Sequence, residues 1–571
     1  MEKRRKTMAL GILLLVFSAF FFRNVKSDLA LIFKKDLLAH DESSNSVVAA
    51  NIMRKFFPPM VRTNPLNEQQ GNWMEGPFWQ HIPPLYAYVP YPFFQLDGQV
   101  TVEVKRLSYA FVIFLTGLIF ILGVYRFGKN IVATSVATLA AVLWVKSPFT
   151  HELVTGYAFG VSDIVLAFTV AASFGAVLWY LKEQKESRLN YSWQKIVAIS
   201  LVVALPIMAK NLLGAIPAAT FFTLLLRDYK LNSKFWIGAG SFLALSAAYY
   251  LPLFFSSPET FRAEIMVSFL HGNNYEGWGR PWHWYITNYL PQRYLMGESV
   301  VFAIGFIFSI WYMASGQLER KSKILLGLSG LWFAWNLVAV SLVESKIANF
   351  IFQSYLLSLY FVIYGPVLFV YEKIEGILPQ VPDSWKQPAL ALILILSLLG
   401  TGFEALRLNQ QLHVHRAMAY SYETEREKFY QTAEELRAMG LNSSDIVIAR
   451  LSDNDCWFRY NVLFLTGAEA KALLEMNFGF EAGAVKTKYG NMHFVINKNN
   501  NFSRASGQRT ELANYSLISF DLTKLSAAEI KSAIDSFTSN HRKDIDQDIL
   551  RIKKDLTSCQ WLVPDPILNA P

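Results

Sequence analysis

The sequence predicts an α-helical polytopic membrane protein of about eleven spans, followed by a small extracytoplasmic α/β domain. Three observations predict it. Of 571 residues, 53% are hydrophobic and only 17% are charged, with a mean hydropathy of +0.25. Apolar stretches recur between short basic connections up to residue 404. Beyond that point charged residues return and the chain has the composition of a soluble domain. The net charge of +9 would suggest nucleic acid in a soluble protein, but here the positive residues cluster in short loops, where they orient the chain in a lipid bilayer. Membrane lipid, not nucleic acid, is the expected surroundings.

Taken in order, Met1–Lys6 is basic and Met8–Phe22 apolar, with no small-x-small cleavage site before Phe21-Phe22-Arg23-Asn24. This reads as an uncleaved first span. Further spans are expected at 107–127, 131–146, 162–181, 194–209, 212–226, 234–255, 298–316, 323–343, 349–369 and 386–404. The pair 194–209 and 212–226 is joined by almost nothing and reads as a broken, re-entrant helix pair. Alternate short loops are basic: Arg126 with Lys129, Lys182 to Arg188, Arg227 to Lys234, and Arg320 to Lys323. These belong with the N-terminus in the cytoplasm. The loops 23–106, 147–161, 256–297 and 344–348 then lie outside, and an odd number of spans places 405–571 outside too. In that region Tyr422–Met439 has helical spacing and stops at Gly440. Ile446–Ala449, His493–Ile496 and Ser516–Phe520 are strand-like, and Ser526–Phe537 is a second amphipathic helix. Cys456 and Cys559 either pair, if the compartment is oxidising, or remain thiols.

The outer loops carry the chemistry. His40-Asp41-Glu42 precedes Ser43–Phe57, which has helical periodicity, so Asp41 is either a helix cap, a catalytic base, or both. His81-Ile82-Pro83-Pro84-Leu85-Tyr86 is a rigid turn presenting His81 and Tyr86 near the bilayer surface. Lys210 sits between two apolar spans, where a lysine either snorkels to the interface or has an anionic partner, a lipid phosphate being suitable. Lys346 pairs with Glu344 or serves as a second cation. His271, Tyr275, Arg280, Trp282, His283 and Trp284 form a polar aromatic cluster, and Asp163 opens the fourth span as a cap or a second functional carboxylate. One face thus collects carboxylates, cations and histidines. A carboxylate can deprotonate an acceptor while cations hold a phosphate and stabilise the charge of a leaving group.

Several of these segments, in their order, resemble the GT-C glycosyltransferases, in the branch of the protein O-mannosyltransferases and the lipid A aminoarabinose transferase. Asp41-Glu42 is similar to the acidic motif of the first outer loop, and Pro83-Pro84-Leu85 to its Pro-Pro-Leu turn. Arg106-Leu107, Gly160-Val161-Ser162-Asp163 and Leu205–Gly214 around Lys210 resemble the motifs that follow. His271 with Pro281–Tyr285, and Ser341–Gln353 around Lys346, complete the series. His81-Ile82 stands where the aminoarabinose enzymes have Glu-Lys, Asn211 where glycine is usual, and Gln353 where proline is usual.

The resemblance implies a GT-C-like membrane domain at 1–404 and an enzyme of a bacterial inner membrane. It would move a sugar from a polyprenyl-phosphate donor to a glycolipid, glycan or protein acceptor at the outer face, with inversion. Asp41 would be the general base, with Glu42 and Asp163 beside it. Lys210, Arg280 and Lys346, with His81 and Tyr86, would bind the lipid phosphate and sugar. No cofactor is implied with certainty; His271 and His81 offer two ligands to a divalent metal ion. The rival readings are a transporter or flippase, for which no inverted repeat is visible, a glycan ligase using a lipid-pyrophosphate donor, and a receptor-like scaffold.

Overall fold

The computed structural model describes residues 2–33, 40–54, 84–147, 150, 161–183, 192–256, 258, 262, 280–285, 296–315, 318–343, 351–377, 423–449, 455–472, 482–498 and 507–541. The membrane part comprises α1 (Glu2–Ile32), α4 (Val102–Gly128), α5 (Ile131–Lys146), α6 (Val161–Glu183) and α7 (Trp193–Lys210). It continues with α8 (Ala215–Tyr229), α9 (Ser233–Ser256), α10 (Met296–Ala314), α11 (Arg320–Leu342) and α12 (Phe352–Ile377). Between α1 and α4 lie α2 (His40–Arg54), a 3₁₀ turn (Pro84–Tyr88) and α3 (Tyr91–Asp97). Among the described residues, ten of the eleven expected spans are helical; 386–404 lies outside them. Six of these helices are long and apolar enough to cross a membrane: Lys6–Lys26, Val102–Gly128, Ser162–Lys182, Trp193–Lys210, Arg320–Leu342 and Phe352–Lys373. At 16 and 15 residues, α5 and α8 reach only about 22–24 Å, short of a bilayer's hydrocarbon core.

At the centre of the bundle, α6 packs against α4, α7, α8 and α12. Gly123 and Gly175 let the α4 and α6 backbones meet: a Cβ on Gly123 would lie 3.2 Å from the Gly175 Cα. Short basic connections cluster at one end. Lys182 donates to the Arg126 carbonyl (2.7 Å), and Tyr180 to Asp228 (2.8 Å), at the end that also holds Lys129, Lys230 and Lys234. Thr101 caps α4 at the opposite end, accepting from Val104 N (3.3 Å), and the Asn24 side chain donates to the Val145 carbonyl there (3.1 Å).

The segment expected to be a broken re-entrant pair is a helical hairpin, α7 and α8, joined by a 3₁₀ turn at Asn211–Gly214. Pro206 starts the break. It has no N–H for the Val202 carbonyl, and the Ser173 hydroxyl of α6 donates to that carbonyl instead (3.2 Å). The turn then folds back so closely that a Cβ on Gly214 would run into the Pro206 carbonyl. Gly214→Ala is therefore expected to destabilise the protein by about 1–3 kcal/mol through overpacking. A lowered thermal midpoint in detergent checks this; an unshifted midpoint would mean the turn has room.

The C-terminal part contains α13 (Glu423–Ala438), β1 (Asp445–Ala449), α14 (Asp455–Thr466), β2 (Glu469–Ala472) and α15 (Ala482–Lys488). After these come β3 (Asn491–Asn497), β4 (Gln508–Glu511), β5 (Tyr515–Asp521) and α16 (Ala527–Asn540). The sheet has the order β2-β1-β3-β5-β4, with β1 parallel to β2 and β3, and β5 antiparallel to β3 and β4. Side chains alternate across it. Ile446, Ile448, Met492, Phe494 and Phe520 form one core with Ile530, Ile534 and Phe537 of α16. Val447, Ala449, Val495 and Leu517 turn the other way and join a core with α13, α14 and the membrane part. The expected helix ends hold: Gly440 takes φ +86° after α13, and Ser526 and Glu529 form a reciprocal capping box on α16. Cys456 lies in α14 with its side chain outside the described residues, as is Cys559.

Candidate active site

Helix α2 begins at His40, so Asp41 and Glu42 occupy its first turn, where acidic residues complement the helix dipole. Its side chains are described from Ser46 onward, and Ser46–Ile52 are all buried. The helix rests on the Pro84–Tyr88 turn and on α3.

That turn links α2 to the bundle, packing on α6 and α7 as well. Pro84 stands at its first position, where proline's fixed φ suits it and no N–H is needed. Tyr86 is fully buried, and its carbonyl accepts from the Tyr109 hydroxyl of α4 (2.9 Å) and from Val89 N (3.1 Å). Burial pushes the Tyr88 hydroxyl above the ordinary tyrosine range. Leu85 of the turn joins Met208, Leu205, Tyr249, Leu245 and Tyr250 in an apolar cluster beside the end of α7.

At that end Lys210 forms an ion pair with Asp163. Their side chains are 11% and 1% exposed, so the pair is largely removed from water. Each charge sits at the helix end that favours it: Asp163 in the first turn of α6, Lys210 as the last residue of α7. The Tyr250 hydroxyl donates to the Ile207 carbonyl (3.0 Å), one of the groups left over where α7 ends. The anionic partner that Lys210 needed is thus, in this structure, a side chain 47 residues away.

The structure brings together the helix bearing Asp41 and Glu42, the Tyr86 turn, Asp163 and Lys210. Arg280 is exposed at the start of a turn closed by Trp284 N to Pro281 O (2.9 Å). His81, His271 and Lys346 lie outside the described residues. Among the described residues no group of three His, Cys, Asp or Glu could hold a metal ion.

The burial of two cations was not foreseen, although Arg106 stands in one of the quoted motifs. Lys105 and Arg106, in the second turn of α4, are 1% and 2% exposed. In the sequence they look like the flank of an apolar span; in the structure they are enclosed. A buried amide network was missed too. Gln353 donates to Asn336 (2.6 Å), which donates to Ser354 (2.9 Å), tying the end of α11 to the start of α12.

No protein-family model matches the chain, and no curated protein sequence matches it. Solved structures do. ArnT from Cupriavidus metallidurans bound to undecaprenyl phosphate aligns with a TM-score of 0.50 at 13% identity, over 88% of this chain and 98% of that one. Its apo form aligns at 0.49 and 14% identity, with the same coverage. The archaeal oligosaccharyltransferase AglB from Archaeoglobus fulgidus, in complex with an inhibitory peptide and a dolichol-phosphate, aligns at 0.46 and 12% identity, over 86% of this chain and 70% of that one.

Proposed function

We propose, from the GT-C fold that this chain shares with ArnT, that it is a membrane glycosyltransferase using a polyprenyl-phosphate-linked sugar. The observation that carries the reading is the buried Asp163–Lys210 pair. It lies against the same turn that supports the helix bearing Asp41 and Glu42. A cation kept at the membrane boundary is costly, and its use is to meet an anion there. An ammonium carries three N–H donors, enough for Asp163 and a phosphate oxygen together. The aromatic and aliphatic cluster of Leu85, Leu205, Met208 and Tyr249 beside it suits the isoprenoid chain.

In this reading Asp41 takes the proton from the acceptor's nucleophile. That nucleophile forms the new bond to the sugar's anomeric carbon as the bond to phosphate oxygen breaks. The electron pair leaves with the polyprenyl phosphate, whose charge Lys210 meets. One displacement inverts the anomeric configuration. Glu42 supports the base; Tyr86 holds the turn; Arg280 and Lys346 are further candidates for the phosphate. In this reading the basic end opposite α2 faces the cytoplasm, as the positive-inside rule favours, with this site and the C-terminal part outside.

The test is the lipid product. The full chain in liposomes, given total lipid extract of its host and an acceptor fraction, is expected to release polyprenyl monophosphate, detected by mass spectrometry. Release of the diphosphate would replace this reading with a glycan ligase. Release of neither, with labelled lipid crossing the bilayer, would replace it with a flippase.

A further inference from the structure

The packing of α2 has a second side. Ser46, Val47, Val48, Ala49, Ala50, Asn51 and Ile52 are each between 0% and 4% exposed. Seven consecutive residues make about two helical turns and point in every direction, so one neighbour cannot cover them. The turn at Pro84–Tyr88 and α3 cover part of this surface. A further part is covered by α14 of the C-terminal part, where Asn461–Thr466 are themselves all buried. Val47 and Val48 belong to the same continuous core as Phe458, Val462 and Phe464.

A second contact, on another helix, holds the same region. The Arg437 guanidinium of α13 donates to the carbonyl of Val100 (3.1 Å), just before the Thr101 cap of α4. Tyr430, seven residues earlier and so on the same face of α13, is buried against Val102 and Glu103. In turn α13 packs on α14, with the Phe429 and Phe458 rings 6.1 Å apart. The C-terminal part therefore grips both the helix of the acidic pair and the start of the helix that carries Lys105 and Arg106.

We infer that the C-terminal domain is a positioning element for the acidic helix: α14 completes the burial of α2, and Arg437 locks the domain in register through the Val100 carbonyl. The inference rests on the reading that Asp41 acts in the transfer reaction. Arg437 is a positioning residue and touches no substrate in this scheme.

Amide hydrogen exchange of the full chain in nanodiscs tests it, alongside transfer kinetics. A hydrogen bond from a charged donor is worth a factor of about ten or more in an opening equilibrium. Arg437→Ala is expected to speed exchange at 46–52 by about that factor while 491–497 in β3 and 162–182 in α6 keep their protection. The turnover number should fall and the half-saturating donor concentration should stay the same. Arg437→Lys, which can still donate to the Val100 carbonyl, should recover most of both losses. Glu434→Gln, which takes the charge from the weaker 4.0 Å contact with Arg437, should change neither. Unchanged exchange at 46–52 in Arg437→Ala, or faster exchange there with full turnover, overturns the positioning role. The exchange result does not depend on the reaction. If exchange rises as expected but the unaltered protein transfers no sugar, the glycosyltransferase reading fails and the docking stands.

Discussion

Asp41→Asn is expected to abolish most transfer, by about 10²–10⁴-fold, while leaving the protein folded and able to bind its donor lipid. The position of α2 makes this substitution a clean discriminator. Asp41 is in the first turn of a helix that begins at His40. As a structural residue it would act through local hydrogen bonding and the helix dipole. Asparagine keeps the first of these and forfeits only about 0.3–1 kcal/mol of the second. A purely structural Asp41 would thus leave turnover near normal, and a general base would not. Glu42→Gln should cost less, since its place is supporting. The measurement is initial rate at saturating donor on equal amounts of purified protein, with donor binding followed separately. Normal turnover in Asp41→Asn would remove Asp41 from the mechanism and turn attention to Asp163.

The second large effect concerns the Asp163–Lys210 pair. Removing one partner from a buried pair leaves an uncompensated charge and costs about 3–5 kcal/mol, whereas replacing both with apolar residues is often neutral. Lys210→Met and Asp163→Leu are each expected to accumulate poorly. The double variant should recover yield and thermal midpoint. Its function should not recover, because the ammonium that meets the phosphate is gone. Donor affinity is expected to stay about 10–100-fold weaker, the worth of a charged hydrogen bond. A double variant that regains both stability and donor affinity would show that the pair serves the fold alone. One that regains neither would mean the pair's neighbours need its polarity.

Much of this arrangement was legible in the sequence, and the reasons differ by element. The long spans and the basic loops were visible because a bilayer demands continuous apolar runs and sorts lysine and arginine by side. In the C-terminal part, Tyr422–Met439 gave itself away by helical spacing that stops at a glycine, and Ser526–Phe537 by its amphipathic spacing. The strands β2 and β4 did not, since four-residue edge strands carry too few residues to show a period. Helix α14 was not picked out from the sequence; its Asn461–Thr466 stretch is buried against α2 and the rest of the core. Lys210 was picked out by its cost and Asp163 by its place at the start of a span, but their pairing joins the ends of two helices, and no local rule reports that. The burial of Lys105 and Arg106 escaped for the opposite reason. Flanking charges are expected at a membrane boundary, so nothing in their own neighbourhood marks them as buried.

The seat of α2 on α14 also sets an order of assembly. The two helices are separated by roughly 400 residues, and chain elongation proceeds at about 5–20 residues per second. For some tens of seconds after α2 emerges, its last partner has not been synthesised. When α14 does arrive it comes within the β1–β2 crossover, a parallel connection that forms late because its strands must close a loop before they pair. The acidic helix is therefore the first piece of the proposed centre to be translated and the last to be locked. If the proposed positioning holds, a newborn chain is idle until α14 has docked, and a ribosome that stalls before residue 455 leaves behind a membrane-inserted chain whose acidic helix is never seated.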